Sequence, residues 1–303
     1  MFSLFNNIII KTIPFIPKSI IRIISNRYIA GTNDNDAIET IRSVNDRGLL
    51  ATIDILGEHT VRDNIAENIT NNYIELFNKI KANKLNCNIS IKPSHIGSDI
   101  NNKTFNKNLQ NIHEKASECN NFLRLDMESS KLTDYTIGAF KKRYEVDKNI
   151  GIVIQAYLHR SIKDIEKLNE GMNIRLCKGI YNESSKISFK NPEDINKNYL
   201  KLLKKALKNK IYVGIATHDT TLIQSAIRVI DNLEIEKKCF EFQVLYGVPM
   251  GNTINYLLEN NYKTRVYIPY GMNWYDYSIR RIKENPNISK YVIKNLFNKN
   301  FYK

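Results

Sequence analysis

The sequence predicts an α/β chain, a (βα)8 barrel of the TIM type with N-terminal helices, and three observations carry that prediction. Apolar runs of about five to eight residues recur along the chain, each followed by a polar segment long enough for a helix. No G-x-G-x-x-G follows an early strand and no Walker-type P-loop is present, so the usual marks of a doubly wound open sheet are missing. Unusual polar residues gather where the strands are expected to end, which is where barrel enzymes keep their chemistry.

Eight strands are expected: Leu50 to Ile55, Asn88 to Ile91, Phe122 to Met127, Gly151 to Ala156, Asn173 to Cys177, Tyr212 to Thr217, Phe240 to Leu245 and Arg265 to Ile268. Helical patterns lie between them. In Asp194 to Leu207, Ile195, Tyr199, Leu202, Leu203 and Leu207 recur at three- and four-residue steps, and Thr221 to Ile230 repeats the pattern. Residues 1–48 are expected to form a helical segment packing on the barrel, and residues 49–303 the catalytic barrel itself.

Two apolar, basic, acid-free segments open the chain, Asn7 to Ile16 and Ser19 to Ile24. Lys11, Pro14, Pro17, Lys18 and Arg22 interrupt them well short of the roughly 20 residues that span a bilayer. Lying on an anionic membrane surface and packing against the barrel are both open to such a segment. The scattered charges and the lack of a small-residue cleavage site disfavour a signal peptide.

The chain has 303 residues, 42% of them hydrophobic, enough for a sizeable core. Lys and Arg number 45 against 31 Asp and Glu, a formal charge of +14 that favours anionic partners without naming one. Asn, Ile and Lys are abundant even at plain surface positions, and no basic tract interleaves with aromatics, so no specific nucleic-acid partner is expected. Cys87, Cys119, Cys177 and Cys239 lie far apart with no metal-ligand spacing, which suggests reduced thiols in a cytosolic protein and no metal site.

The polar residues assigned to strand ends are Lys92, Asp126, Gln155, Arg175 with Lys178, Thr217-His218-Asp219, Glu241 with Gln243, and Tyr267. Charged groups there are costly to desolvate unless paired or used.

Four motifs stand in order: Arg175-Leu176-Cys177-Lys178-Gly179-Ile180-Tyr181; Thr217-His218-Asp219; Phe242-Gln243-Val244-Leu245-Tyr246-Gly247; and Arg265-Val266-Tyr267-Ile268-Pro269-Tyr270-Gly271 leading to Arg280-Arg281. Together they resemble the proline dehydrogenases, in the short monofunctional bacterial form. The likeness runs from about Arg27 to Pro286.

The resemblance implies FAD held without covalent attachment in a distorted barrel. It implies oxidation of L-proline to 1-pyrroline-5-carboxylate, the first step of proline catabolism to glutamate, with hydride passing to the flavin and electrons onward to a quinone-type acceptor. It gives Arg280 and Arg281 to the substrate carboxylate, to which Lys92 at its strand end adds a third cation from across the barrel, and Tyr267, Tyr277 and Leu245 to an apolar wall around the ring. A tyrosine at position 277 favours proline over hydroxyproline. Asp126 orients Tyr267, and Arg175 reaches the flavin ring, where a cationic donor stabilises arriving charge. Met127, Gln155, Lys178, Gly179, Ile180, Thr217 and His218 match cofactor contacts. Cys177 and Ile180 depart mildly from the family pattern, and Ile180 is expected to crowd the cofactor slightly. A cytoplasmic protein, with peripheral contact at the inner membrane face left open, fits this picture. Two rivals stand beside it: a flavin-free barrel enzyme binding a phosphorylated metabolite through Lys178 and Arg175, and a nonenzymatic basic protein that binds nucleic acid.

Overall fold

The computed structural model describes residues 17–284. Among the described residues, two helices, α1 (Lys18–Ser25) and α2 (Asp34–Asp46), precede the first strand. Then strands and helices alternate: β1 (Leu50–Ile55), α3 (Asp63–Ala82), β2 (Cys87–Ile91), α4 (Asn102–Glu118), β3 (Leu123–Leu125), α5 (Thr133–Val146), β4 (Ile150–Gln155) and α6 (Ser161–Glu166). They continue as β5 (Asn173–Cys177), α7 (Pro192–Lys208), β6 (Tyr212–Ala216), α8 (Thr220–Asn232), β7 (Phe240–Leu245), α9 (Thr253–Glu259), β8 (Thr264–Tyr270) and α10 (Trp274–Glu284). All neighbouring strands are parallel, and β1 pairs with β8, which closes the barrel.

All eight expected strands are present, three of them with the expected limits. The third is shorter than Phe122 to Met127, because after Leu125 only the Asp126 N–H still reaches across, to the Ile91 carbonyl at 2.8 Å, before the chain turns outward. Four of the helices, α2, α4, α7 and α8, begin on short polar side chains that satisfy an orphan N–H group of the first turn. Asn101 caps α4, accepting from Thr104 N. Asn191 caps α7, with Pro192 in the first turn, where its missing N–H costs nothing. Asp219 caps α8, accepting from Leu222 N at 3.1 Å.

Side chains alternate across the sheet, and the two rows differ in kind. The outward row is apolar and buried beneath the helices: Ile53, Ile89, Ile91, Leu123, Ile152, Leu176, Val213, Phe242 and Ile268 all belong to the main core. The inward row is polar over most of the barrel's length. Thr52 and Asp54 face Asn88 and Ser90, and beyond them stand Arg124, Arg175, Glu241, Gln243, Arg265 and Tyr267. Glycines make room for the longest of these. A Cβ at Gly151 would run into the Arg124 guanidinium, and one at Gly214 into the Gln243 amide.

This row corrects one expectation. The sequence pattern places Glu241 at a C-terminal strand end, but it is the second residue of β7 and lies at the opposite end of the barrel, paired with Arg265 at 2.7 Å. Arg175 and Gln243 sit in mid-strand, so their side chains cross the interior instead of capping it.

Of the N-terminal segments, Asn7 to Ile16 lies outside the described residues. Ser19 to Ile24 lies within α1, which packs on α10. Ile21 is buried there with Tyr28, Leu56 and Tyr277, while Lys18 and Arg22 stack on the Tyr275 and Trp274 rings at 5.1 and 4.6 Å. Helix α2 lies against β1 and β8.

Candidate active site

A cavity of about 410 Å³ opens at the C-terminal mouth of the barrel. Every site residue expected from sequence whose side chain is described lines it: Lys92, Asp126, Met127, Gln155, Arg175, Lys178, Gly179, Ile180, Thr217, His218, Leu245, Tyr267 and Tyr277. Positions 280 and 281 fall in α10, and the side chains of Arg280 and Arg281 lie outside the described residues.

Arg175 is the centre of the site. Its Nη1 donates to Asp126 Oδ1 at 2.7 Å and to Ser90 Oγ at 3.1 Å, and its Nε donates to Gln243 Oε1 at 2.7 Å. The guanidinium lies 4.9 Å from the centre of the Tyr267 ring, and the Tyr267 hydroxyl donates to Asp126 Oδ2 at 3.2 Å. Asp126 therefore ties together a cation, a serine and a tyrosine drawn from three other strands. Arg175 Nη2 is buried and has no partner. A buried donor left unpaired costs roughly 1–3 kcal/mol, and of the nine unpartnered buried side-chain polar atoms among the described residues only this one and Asp54 Oδ1 belong to residues that line the cavity.

Lys92 departs from expectation in one respect, since its ammonium is bound to the Asp54 carboxylate. Asp54 was not anticipated as a site residue. It is 1% exposed, and burial pushes its carboxyl above the ordinary range; the attraction of Lys92 does not offset this, and the nearby Asp126 adds to it. Its Oδ1 has no partner. Burial works against the Lys92 charge too, but Asp54, Asp126 and Glu58 outweigh it, and the ammonium is held more firmly than usual. Glu128 was missed as well. It accepts from the Ser94 N–H at 2.7 Å and from the Ser94 hydroxyl, and burial raises its carboxyl.

The other side of the cavity is built by the β5 and β6 loops. Lys178 Nζ reaches Asp219 Oδ2 at 2.8 Å, so the carboxylate that caps α8 also fixes this lysine over the opening. Asp219 is held below the usual carboxylate range: burial opposes this, and Lys178, the capping N–H and Asn196 prevail. Gly179 has φ +105°, and Tyr157 occupies the space a Cβ would need, so only glycine suits both the backbone and the neighbour. His218 Nε2 accepts from Leu245 N at 2.7 Å, joining the β6 loop to the end of β7. Gln155 donates to the Glu128 carbonyl at 2.9 Å. Met127, Val153, Val244 and Leu245 supply apolar surface. Ile180 is half exposed at the rim. Cys177 lines the cavity, its thiol donates to the Ile154 carbonyl at 3.7 Å, and burial pushes it up to about 12. No metal-binding cluster occurs among the described residues.

A barrel whose mouth holds a desolvated, ligand-seeking guanidinium beside an acid and a tyrosine has the form of an enzyme active site. The family model described as proline dehydrogenase matches residues 37–294, and the chain belongs to that family, whose members are oxidoreductases. It is 35% identical over 283 residues to proline dehydrogenase 2 of Bacillus subtilis strain 168, covering 92% of each chain. It is 31% identical over 279 residues to proline dehydrogenase 1 of the same strain, again covering 92% of each. Among solved structures, it superposes on proline utilization A (PutA) from Bdellovibrio bacteriovorus inactivated by N-propargylglycine with a TM-score of 0.80 at 23% identity. That match covers 91% of this chain and 34% of the other, so it speaks to the fold, over about a third of the longer protein.

Proposed function

We propose that this chain oxidises L-proline to 1-pyrroline-5-carboxylate, with FAD bound at the barrel mouth and electrons passing on to a quinone-type acceptor. The observation that carries the reading is the unpartnered, buried Nη2 of Arg175, held at the cavity by Asp126, Ser90 and Gln243. The lining fits a flavin: apolar flanks at Val153, Val244 and Met127, a buried cationic donor at Arg175, and a second cation at Lys178 suited to a phosphate. Gln155, Lys178, Gly179, Ile180, Thr217, His218 and the backbone of Met127 are assigned to its ring edge, ribityl chain and phosphates. Bound FAD supplies a two-electron acceptor with a flat face.

The protein's part is placement. Arg280, Arg281 and Lys92 clamp the proline carboxylate, with Asp54 fixing the lysine ammonium. Tyr267, Tyr277 and Leu245 shape an apolar pocket that excludes water from the ring. Oxidation removes a hydride, which bound FAD would accept, from the ring CH2 carbon beside the nitrogen and away from the carboxylate, while the nitrogen's proton passes to solvent and a carbon–nitrogen double bond forms. Asp126 holds the Tyr267 hydroxyl and the Arg175 guanidinium, so the cation is already oriented where negative charge accumulates.

We further read residues 1–48 as a helical segment laid on the barrel of 49–303, supported by the packing of α1 on α10 and of α2 on β1 and β8. No helix among the described residues is long and apolar enough to cross a membrane. A quinone acceptor favours a cytoplasmic protein that touches the inner membrane face through its basic N-terminus, and sedimentation with anionic vesicles tests that contact. The decisive experiment on the activity is a visible spectrum of the purified protein followed by anaerobic proline. A yellow protein that bleaches on addition is expected. A colourless one, unable to take up FAD, refutes the reading in favour of a flavin-free barrel enzyme, and tight, steeply salt-dependent binding to oligonucleotides favours the nucleic-acid rival.

A further inference from the structure

We infer that Glu241 and Gln243, on the inner face of β7, are positioning residues for Arg175: Glu241 fixes which way the Gln243 amide faces, and the amide fixes the guanidinium. The inference rests on the reading above that Arg175 serves a bound flavin.

A carboxamide presents an acceptor at one end and a donor at the other, and the two ends are nearly the same size. Packing alone therefore does not choose between its two orientations. The neighbours do. Gln243 Nε2 donates to Glu241 Oε1 at 2.6 Å, which leaves Oε1 facing the Arg175 Nε–H at 2.7 Å. The choice depends on Glu241 remaining a pure acceptor. Burial would raise its carboxyl, but Arg265, bonded through Nε at 2.7 Å and Nη2 at 3.0 Å, and the Gln243 amide hold it below the usual range. The space is tailored as well, since a Cβ at Gly214, the register partner of Glu241, would collide with the amide.

With Nε on Gln243 and Nη1 on Asp126 and Ser90, the guanidinium plane is fixed from two sides, and the direction of the free Nη2 follows. Reversing the amide would set two donors against each other and turn the guanidinium away. Glu241 itself does not line the catalytic cavity. It lines a separate one of about 380 Å³ at the opposite mouth, with Arg124 and Arg265, so it makes no contact with the reaction site and its hydrogen-bonded route there runs through Gln243 and Arg175.

The test is Glu241→Gln in the flavin-loaded enzyme, because the new carboxamide can donate and so removes the bias on Gln243. Flavin content and the KM for proline should stay near wild type. The limiting rate of flavin reduction in anaerobic rapid mixing should fall about tenfold, as expected for one misplaced charged hydrogen bond, and the flavin midpoint potential should become more negative. In an Arg175→Met background the same change should alter the rate less than about twofold, since residues acting through one another are not additive. Additive losses, or an unmoved potential, overturn the inference. If Glu241→Gln does not fold, Gln243→Met decides: it keeps the Glu241–Arg265 pair, should reproduce both shifts, and overturns the inference if it changes neither. Arg175→Met separates the two levels. A slow Arg175→Met enzyme beside unchanged Glu241→Gln and Gln243→Met sinks only this inference, whereas an unchanged Arg175→Met enzyme sinks the flavin role with it.

Discussion

The two ends of the barrel interior hold the same kinds of groups arranged to opposite effect. At the lower end Arg265 spends Nε and Nη2 on Glu241 and Nη1 on the Ala51 carbonyl, and the carboxylate also receives Gln243 and Tyr212. At the upper end Asp54 has one oxygen on Lys92 and the other unpartnered, while Arg175 Nη2 has none. The contrast is clearest in two buried carboxylates of one barrel: burial pushes Asp54 up past the pull of Lys92, while Glu241 is brought down by Arg265 against burial. A saturated ion pair is structure; an incomplete one, facing a cavity, is a site held ready for a ligand. The lower end has one loose group of its own, Arg124 Nε, whose guanidinium stacks 4.9 Å from the Phe122 ring.

The comparison breaks most easily at Arg265. Arg265→Met leaves Glu241 buried without its counterion, and loss of one partner of a buried pair costs about 3–5 kcal/mol. Urea unfolding should show that loss, and because Arg265 also keeps Glu241 an acceptor for the Gln243 amide, flavin reduction per folded molecule should fall by up to about tenfold, as in Glu241→Gln. A stable Arg265→Met variant would show that the lower pair is not what holds that end together. Arg175→Met should do the reverse. Its main effect falls on reduction, about 10²-fold or 2.7 kcal/mol, as when a single donor is withdrawn from developing negative charge. Stability should drop less than in Arg265→Met, because Asp126 keeps Ser90 and Tyr267. Arg280→Ala and Arg281→Ala should each lower kcat/KM for proline by roughly 10- to 100-fold, the worth of a charge-assisted hydrogen bond, with flavin still bound. Wild-type kinetics in either would remove the carboxylate clamp.

Much of this was legible in the sequence, and the rest was hidden for a physical reason. Strands such as Leu50–Ile55, Asn173–Cys177 and Phe240–Leu245 read directly because apolar runs bounded by turn residues are a local signal. Of the residues lining the mouth, Arg175, Lys178, Gly179, Ile180, Thr217, His218, Leu245 and Tyr267 lie in contiguous motifs, while Lys92, Asp126 and Gln155 are legible as polar residues at expected strand ends. What motifs do not give is partnership. Ser90 and Arg175 are 85 residues apart, and Lys92 and Asp54 are 38 apart, so their pairing exists only once the barrel closes. One local signal does reach the interior. Asn88-Ile89-Ser90-Ile91-Lys92 and Phe240-Glu241-Phe242-Gln243 alternate apolar with polar, which in a parallel barrel covered by helices marks the polar row as the inward one. Read that way, Asp54 in Thr52-Ile53-Asp54-Ile55 is an interior acid, and Glu241 belongs to the interior row and not to a strand end.

The smallest expected effect tests the comparison by sign. A carboxyl whose folded pKa lies above its unfolded value, as at Asp54, favours the fold below the unfolded pKa and loses that contribution as pH rises through the folded one. A carboxyl held low, as at Glu241, contributes above the unfolded pKa and loses it as pH falls through the folded one. Stability of Asp54→Asn relative to wild type should therefore improve from pH 4 to pH 7, whatever constant penalty comes from stranding Lys92. Stability of Glu241→Gln relative to wild type should worsen over the same range. Denaturant titrations at several pH values read both slopes, and two slopes of the same sign would mean that the ends of the barrel are not electrostatically opposed. The constant offsets carry the cost of the lost contacts, whereas the slopes isolate the protons, so the comparison survives even if both variants are weakened overall.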